Sequence, residues 1–407
     1  MKKMAFLAGL LIIFFLSSGA QESYYVTVTN ISVPVRVLDG NKVVKNLTIE
    51  DFEIYEDGQP QEIEALYYTE KGDVKHKEGN RDFMPRVKRN FHLLFQITEF
   101  NPKISEAINH FFKEIFMPGD SVEVQTPMRT YGMPPDIVNK KSREEIAQDL
   151  VKIIRKDTKI GGSYYRNLIV DLKKMVRGIS QSAGMETSSM ADMESDSTQS
   201  MFGMEQLLPS YKETLQKLDE LRVVEQKKIL QFAERLKMQR GEKIVFFFYQ
   251  REFRPEIQSR VLNRLMSLNQ DNPHVMGGLQ DLFQFYGRRD TYEVEKLQKA
   301  FADSSILFSF IFMNKEPENI SGITMREQSE DVFEAFNKIT ETTGGIVDNS
   351  QNPAYAFQRA STFCDSSYIL FYTPKVYKKD GGFRQIEVRL KDKPYKVIHR
   401  KGYYSEK

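Results

Sequence analysis

The sequence has a single cysteine, Cys364, in 407 residues, which excludes a disulfide bond within the chain. It also has little net charge: 58 lysines and arginines against 56 aspartates and glutamates leave a formal charge of +2. Such a balance gives no field that would attract nucleic acid or an anionic membrane, so we expect no nucleic-acid partner. The hydrophobic content of 40% is enough for two or three compact domains in a chain of this length.

The motifs of common catalytic sites are also missing. The sequence has no phosphate-binding loop, nucleophile elbow, zinc-binding helix or pair of metal-binding cysteines. Cys364 lies between a helix pattern and a strand pattern, which favours a buried, inert thiol over a nucleophile. The histidines lack the spacing of metal ligands. They are His76, His92, His110, His274 and His399. We therefore predict that the protein has no catalytic residues and is not an enzyme.

Residues 1–20 have the pattern of a secretory signal peptide. Lys2 and Lys3 precede an apolar run over residues 4–16, and small residues lead to a predicted cleavage site after Ala20. The alternative is an uncleaved membrane anchor, for which the run is short. We expect an exported protein, periplasmic, on the outer surface or secreted, with no stable membrane span once the signal is cleaved. Export without disulfides is more typical of a bacterial protein.

Both ends of the remaining chain have strand patterns. Residues 21–70 alternate large and small side chains between turn dipeptides, and residues 366–407 return to the same pattern. Together these segments predict an Ig-like β-sandwich built from both ends of the chain. Residues 71–90 are charged and polar, which favours a solvated linker over a basic binding patch.

The region between these ends, residues 91–365, has the pattern of an α/β domain. Continuous apolar runs at residues 91–100, 243–249 and 306–312 predict buried strands. Amphipathic segments alternate with them and predict covering helices. The predicted fold class is therefore α/β, with a doubly wound, mainly parallel sheet next to the terminal β-sandwich.

Helix signals and glycines subdivide this region. Ser142 followed by Glu145 is typical of a capping box at a helix start. Gly161 and Gly162 predict a flexible turn that places Ser163 at the start of another helix. Residues 178–206 are rich in Ser and Met and lack periodicity, which predicts a mobile insertion. Its methionines also leave open a soft-metal site or contact with a partner's groove. A single long helix is predicted at residues 209–239.

Several stretches resemble one family, the exported bacterial proteins called von Willebrand factor A-related domain proteins. Residues 31–63 (ISVPVRVLDGNKVVKNLTIEDFEIYEDGQPQEI) are similar to that family's opening. The closing pattern is matched by residues 342–345 (TTGG), 367–372 (SYILFY), 380–386 (DGGFRQI) and 400–404 (RKGYY). The resemblance implies a von Willebrand factor A-like domain over residues 91–365.

Proteins of this type usually carry a metal-ion-dependent adhesion site, and the resemblance implies where it would lie. The matching positions are Gln96-x-Thr98-x-Phe100, Ser163 and Gln250. Mg²⁺ needs hard oxygen ligands and carboxylates, whereas here both acidic positions are amides. The implied site is thus degenerate, and we expect no bound metal or other cofactor.

Glu99 and Glu252 keep one metal-dependent alternative open. Both follow strands predicted to be neighbours, so they would form a rearranged divalent-cation site with Thr98 and Ser163 if both turned into the crevice. Charged residues at strand ends are more often solvated.

The function predicted from these observations is an exported, non-enzymatic protein-interaction or adhesion-type scaffold. In open α/β sheets the functional crevice lies beyond the carboxyl ends of the central strands. The predicted contact surface is the rim of this crevice, with an unidentified protein partner in the cell envelope or outside the cell. Its residues are Gln96, Thr98, Glu99, Phe100, Ser163, Gln250, Glu252 and Phe253. The alternatives are a metal-dependent adhesin using Glu99 and Glu252, and an envelope enzyme or chaperone-like factor using the Met-rich insertion.

Overall fold

A computed structural model describes residues 30–40, 42–80, 87–184, 203–222, 225–287, 292–320, 322–350 and 352–406. The predicted signal peptide and most of the predicted insertion at 178–206 lie outside the described residues. No helix in the described part of the chain combines the length and the apolar composition needed to cross a membrane.

The chain alternates strands and helices, with β structure concentrated at both ends. The strands are β1 (Ile31–Asp39), β2 (Lys42–Val43), β3 (Phe52–Glu56), β4 (Gln59–Gln61), β5 (Ala65–Glu70), β6 (Asp73–Gly79), β7 (Arg89–Gln96), β8 (Ser121–Gln125), β9 (Thr130–Met133), β10 (Glu242–Gln250), β11 (Phe253–Ile257), β12 (Ile306–Met313), β13 (Ile323–Glu327), β14 (Val347–Asp348), β15 (Ser366–Tyr372), β16 (Phe383–Leu390), β17 (Lys396–His399) and β18 (Gly402–Tyr404). The helices are α1 (Lys103–His110), α2 (Arg143–Ser182), α3 (Met204–Arg222), α4 (Gln226–Lys237), α5 (Ser259–Leu268), α6 (Pro273–Tyr286), α7 (Val294–Asp303), α8 (Glu330–Thr343) and α9 (Pro353–Phe363). A π-helical turn at Phe111–Ile115 continues α1, and 3₁₀ turns lie at Ile49–Asp51 and Pro135–Asn139.

The central sheet has the strand order β14-β12-β10-β7-β8-β9. Its strands are parallel except for β9, which pairs antiparallel with β8. The three apolar runs form β7, β10 and β12, as predicted, because both faces of these strands are covered by helices. Phe246 contacts Phe357 of α9 on one face, and Phe247 contacts Phe336 of α8 on the other. β7 ends at Gln96, earlier than predicted.

The strands from the two ends of the chain form antiparallel sheets that curl into a half-barrel. One sheet has the order β17-β1-β15-β5-β6, and the other has the order β18-β16-β3-β4. Val35, Tyr368, Ile54 and Ile386 share the buried core between them. Because β1 pairs with both β15 and β17, the two ends of the chain fold together.

The fold class predicted from the sequence is therefore wrong. The chain is a mixed α/β structure whose sheets are mostly antiparallel, and it is not a doubly wound, mainly parallel fold of the von Willebrand factor A type with a β-sandwich. Parallel pairs in the described residues are confined to the central sheet. The prediction gave most weight to three long apolar runs, whereas the shorter, half-polar strands form most of the pairs.

Helix α2 differs from the prediction because it continues through Gly161, Gly162 and Ser163 without a turn. The capping box at its start is confirmed: Ser142 Oγ accepts from the N–H of Glu145 at 3.2 Å, and Glu145 Oε2 accepts from the N–H of Ser142 at 2.8 Å. The helix predicted at residues 209–239 is two helices, α3 and α4. In the predicted linker at 71–90, residues 73–79 form β6 instead.

The second half of α2 belongs to a helical lobe that the sequence analysis did not identify. Leu172 of α2, Tyr211 of α3, Leu262 of α5 and Leu279 of α6 are buried in one cluster. Tyr211 donates from its hydroxyl to the carbonyl of Pro255 at 2.8 Å, which ties the lobe to β11. The lobe lies beside the carboxyl ends of β7 and β10, because α2 and α3 both reach that edge of the central sheet.

Candidate functional site

The loop after β7 is fastened to the end of β10 by Gln250. Its Oε1 accepts hydrogen bonds from the backbone N–H groups of Thr98 and Glu99, both at 3.0 Å, and from the Thr98 hydroxyl at 3.1 Å. Gln250 is buried, and these three donors use the acceptor capacity of one amide oxygen. We call this arrangement the Gln250 clamp. It brings together Gln250, Thr98 and the backbone of Glu99, three of the predicted site residues.

Arg166 of α2 holds the same loop from the opposite side. Its guanidinium donates to the carbonyl oxygen of Thr98 and to that of Lys159, the latter at 2.6 Å. Gly162 permits this contact, because a Cβ at that position would lie 2.3 Å from the Thr98 carbonyl oxygen. Gly162 therefore serves close packing of α2 on the loop rather than the turn that we predicted.

Ser163 is not joined to the clamp. It lies inside α2, and its hydroxyl donates to the carbonyl of Ile160 at 2.6 Å, within the same helix. The side chain is exposed. The predicted pairing of Ser163 with Thr98 depended on a helix start at this position, and the continuous helix removes that condition.

The predicted rim glutamates have different environments. Glu99 is exposed, and its carboxylate forms an ion pair with Lys315 Nζ at 2.7 Å. Glu252 is buried between β10 and β11, and its backbone carbonyl accepts from the N–H of Gln328 at 3.1 Å. Gln96, the last residue of β7, is half-buried beside the crevice. Only Glu99 of the two glutamates thus presents a carboxylate to solvent.

The two predicted rim aromatics pack into the fold. Phe100 is half-buried on the core beneath α1, and the Arg155 guanidinium lies 4.9 Å from the centre of its ring. Phe253 is buried in β11, with the Arg251 guanidinium 5.2 Å from its ring centre. Both rings belong to the predicted contact surface, but Phe253 is buried and Phe100 is only partly exposed. The position of an aromatic residue after a predicted strand does not show whether its ring is exposed or is covered by an arginine side chain.

These residues do not fit the divalent cation that the family resemblance implies. The side-chain carbonyl oxygen of Gln250 already accepts three hydrogen bonds. The carbonyl oxygen of Thr98 already accepts from a cation, the Arg166 guanidinium. A dication needs several oxygen ligands with negative charge to offset its dehydration. The described residues contain no group of three or more His, Cys, Asp or Glu side chains with the geometry of a metal site.

The crevice at this edge has a cavity of about 470 Å³, and four exposed apolar side chains lie on the segments that border it. Ile160 and Tyr164 are one turn apart on α2, and a Cβ at Gly161 between them would lie 3.3 Å from Met128 Sδ. Leu221 of α3 lines the same cavity. We call these four residues the apolar rim. Their exposed fractions are Met128 45%, Ile160 48%, Tyr164 50% and Leu221 41%.

Sequence reasoning missed the apolar rim and Arg166. The available signal was the spacing of Ile160 and Tyr164, four residues apart on either side of a glycine pair. That spacing places both side chains on one helix face only if the helix continues through the glycines. By assigning a turn there, the prediction separated the two residues.

A larger cleft, with a volume of about 1260 Å³, lies between the half-barrel and helices α8 and α9. Most charged groups along it are already paired: Lys45 with Glu70, and Lys75 with Asp73. Exposed ion pairs of this kind are solvated and contribute little to recognition of a ligand. Its size alone therefore does not make this cleft a better candidate than the crevice.

Cys364 and His92, of the two residue types weighed for catalysis, both pack into the fold. Cys364 is buried, and burial raises the pKa of its thiol to about 12, so the thiolate that acts as a nucleophile does not form near neutral pH. His92 contacts Glu123 Oε1 at 3.3 Å and Gln239 Oε1 at 3.1 Å through its two ring nitrogens. Both ring nitrogens are thus used within the fold.

Comparison with known proteins does not assign the chain to a family. No protein-family model matches it, and no similar sequence was found among the curated proteins. Among solved structures it is similar to the human COPII-coat protein Sec24c, with 10% sequence identity and a TM-score of 0.28. The similarity covers 79% of this chain and 43% of that chain, so this chain spans less than half the length of Sec24c. A similarity of this size carries no argument about fold or function.

Proposed function

We propose that this protein is an exported, non-enzymatic interaction protein that binds a protein partner through the apolar rim. Export belongs to the same proposal and is supported by the signal-like pattern of residues 1–20. Membership of the von Willebrand factor A-related family is also part of it; the terminal motifs support it, although the observed fold differs from the one that the resemblance implies. The observation that carries the proposal is the group of four exposed apolar side chains on the segments that border a crevice at one edge of the central sheet.

The composition of the apolar rim supports a protein partner. Contiguous exposed apolar side chains are uncommon on monomeric proteins and often mark interaction sites. Tyrosine and methionine are enriched at protein interfaces, and a tyrosine near the centre of a contact often contributes much of the binding energy. Tyr164 is the most exposed of the four rim residues, at 50%.

The polar groups of the crevice also support a surface for protein interaction. Gln250, Thr98 and Arg166 satisfy one another within the chain, so they hold the loop in shape and leave few groups for chemistry. A preformed loop lowers the entropy lost when a partner binds. Recognition would then depend on side-chain contact, with exposed Glu99 and Ser163 at the border of the apolar surface.

Site-specific photo-crosslinking tests the proposal. A photoreactive phenylalanine analogue replaces Tyr164 in one variant and Leu268, an α5 residue that is 59% exposed and does not line the crevice, in a matched control. Crosslinking is carried out in the cells that produce the protein, and products are identified by mass spectrometry. We expect one recurrent protein adduct from position 164, and its loss when Ile160→Asp is added, because a charge at the rim must be desolvated on binding.

The opposite results would contradict the proposal. Equal adducts from both positions would show that position 164 has no specific partner. A recurrent adduct that persists with Ile160→Asp would show that the partner does not depend on the apolar rim. Circular dichroism of Ile160→Asp checks that the exposed substitution leaves the fold intact.

A further inference from the structure

A second cavity lies at the opposite edge of the central sheet, where β10 and β12 begin and the half-barrel packs against them. Its volume is about 290 Å³. It is lined by charged and hydroxyl side chains from several elements. The residues that matter here are Arg36, Glu242, Lys243, Ser305 and Arg400.

Lys243 and Arg400 are both buried in this cavity, each with only 8% of its surface exposed. Arg400 donates to the Ser305 hydroxyl and, from Nη2, to the carbonyl of Ser32 at 2.7 Å, whereas its Nε has no hydrogen-bond partner. No ion pair or hydrogen bond joins Lys243 to another described residue. Two cations thus face the same small cavity, and neither forms a close ion pair with a carboxylate there.

The carboxylates nearby are engaged elsewhere. Glu242 accepts from the Ser367 hydroxyl at 3.1 Å and lies 3.9 Å from an Arg36 nitrogen. Asp303 accepts from Lys237 Nζ at 2.6 Å and from the N–H of Tyr404 at 2.8 Å. Each acid therefore has a partner other than Lys243 and Arg400. The remaining charge in the cavity is positive.

We propose that this cavity binds one small oxyanion of the phosphate or sulfate class between Lys243 and Arg400. Buried charges are costly unless an opposite charge and hydrogen bonds compensate them. A tetrahedral oxyanion supplies both, because its oxygens accept from an ammonium, from a guanidinium N–H and from a neighbouring hydroxyl such as that of Ser305. The volume accommodates a single such group, which excludes a polyanion chain.

The protonation of Lys243 agrees with this assignment. Burial, together with the charge of Arg400, lowers the pKa of its ammonium to about 8. Lys243 is therefore still mainly protonated at neutral pH, although its environment disfavours the charge. A bound oxyanion reverses that effect by placing negative charge beside the ammonium.

Thermal unfolding of the full chain tests the proposal, with inorganic phosphate compared with sodium chloride at equal ionic strength. The wild-type protein is compared with Lys243→Met, which removes the buried charge, and with Lys396→Met, which removes an exposed lysine of β17 that does not line this cavity. We expect the wild type and Lys396→Met to gain several degrees in Tm with a saturable dependence on phosphate, as binding to the folded state requires. Lys243→Met should be more stable without phosphate and should need at least about tenfold more of it for the same shift.

The same experiment with glycerol phosphate in place of inorganic phosphate shows whether the site binds only a free oxyanion or also a phosphate group on a larger molecule. A saturable shift with inorganic phosphate alone assigns the site to a free ion, and equal shifts with both assign it to the phosphate group in either form. A shift that does not saturate, or that is equal in wild type and Lys243→Met, would overturn the proposal. If Lys243→Met does not fold, calorimetry of the wild type decides: one phosphate per chain supports the site, and no saturable heat refutes it.

Discussion

The two edges of the central sheet differ in how their buried cations and amides are paired. At the carboxyl edge, Gln250 and Arg166 find acceptors or donors in the loop after β7. At the amino edge, Lys243 and the Nε of Arg400 are buried without such partners. The family resemblance directed attention to the first edge, yet the buried lysine that forms no ion pair with another described residue, Lys243, is at the second.

This difference separates groups that maintain the fold from groups that indicate a ligand. A buried polar group that is satisfied within the chain stabilises local structure and needs nothing further. A buried cation without a counter-charge raises the free energy of the folded state until an anion compensates it. We therefore propose the carboxyl edge as a surface for side-chain contact and the amino edge as a site for a small anion.

The largest expected effect concerns the packing of α2 at the carboxyl edge. Gly162→Ala places a Cβ 2.3 Å from the Thr98 carbonyl oxygen, a backbone atom that cannot move without disturbing the Gln250 clamp. We expect a loss of more than about 3 kcal/mol in the free energy of unfolding, at the upper end of overpacking effects. Urea unfolding measures it.

Gly178→Ala is the matched control in the same helix. A Cβ at position 178 meets only Leu207 Cδ1, at 3.9 Å, which is ordinary contact. The alanine should therefore increase stability by up to about 1 kcal/mol through helix propensity. A similar loss in both variants would mean that glycine is needed for helix flexibility and not for the close approach to Thr98.

The next effect concerns pH at the amino edge, where His399 is buried. Its Nδ1–H donates to the carbonyl of Arg400 at 2.8 Å, and its Nε2 accepts from the N–H of Val388 at 3.2 Å. Burial lowers the pKa of His399 from 6.5 to about 4. The unfolded state therefore binds the proton first on acidification, so stability is lost as pH falls from about 6.5 to about 4. The shift corresponds to about 3 kcal/mol.

Comparison with His399→Gln isolates this contribution. Asp365 has a pKa raised to about 6 by burial, which acts in the opposite direction over part of the same pH range. The wild type should lose about 3 kcal/mol more than His399→Gln between pH 6.5 and pH 4 in urea unfolding, because all other groups titrate in both proteins. Equal losses would show that His399 does not carry the acid sensitivity.

The smallest of the three effects concerns the Gln250 clamp itself. Gln250→Leu leaves the N–H groups of Thr98 and Glu99 without their acceptor, and we expect a loss of about 2 kcal/mol because partly buried donors regain some hydration. Gln250→Glu keeps an acceptor of the same shape and should lose less. If leucine is tolerated as well as glutamate in chemical unfolding, the clamp contributes nothing to stability.

The sequence predicted well what depends on local pattern. β7, β10 and β12 follow from uninterrupted apolar runs, and the start of α2 follows from Ser142 and Glu145. The sequence-based prediction was wrong where the same residue type is used for two different structural purposes. A glycine required for a close approach, such as Gly162, looks the same in a sequence as a glycine required for a turn.

The second limit of the sequence-based prediction was the pairing between strands that are distant in the chain. β1 pairs with β15 from Ile31 opposite Tyr372 to Val35 opposite Tyr368, and no local pattern in either strand encodes that partner. The charged cavity has the same origin. Lys243 looks like an ordinary lysine at the start of a strand, and Arg400 like a charge near the end of the chain, until the half-barrel folds back onto the central sheet.

The most direct test of the contrast between the edges is isothermal titration calorimetry of the full chain. Magnesium chloride and sodium phosphate are titrated separately at equal ionic strength. We predict saturable heat with phosphate at one ion per chain and no saturable heat with Mg²⁺. Saturable binding of Mg²⁺ that disappears in Glu99→Ala, together with no phosphate binding, would contradict the account.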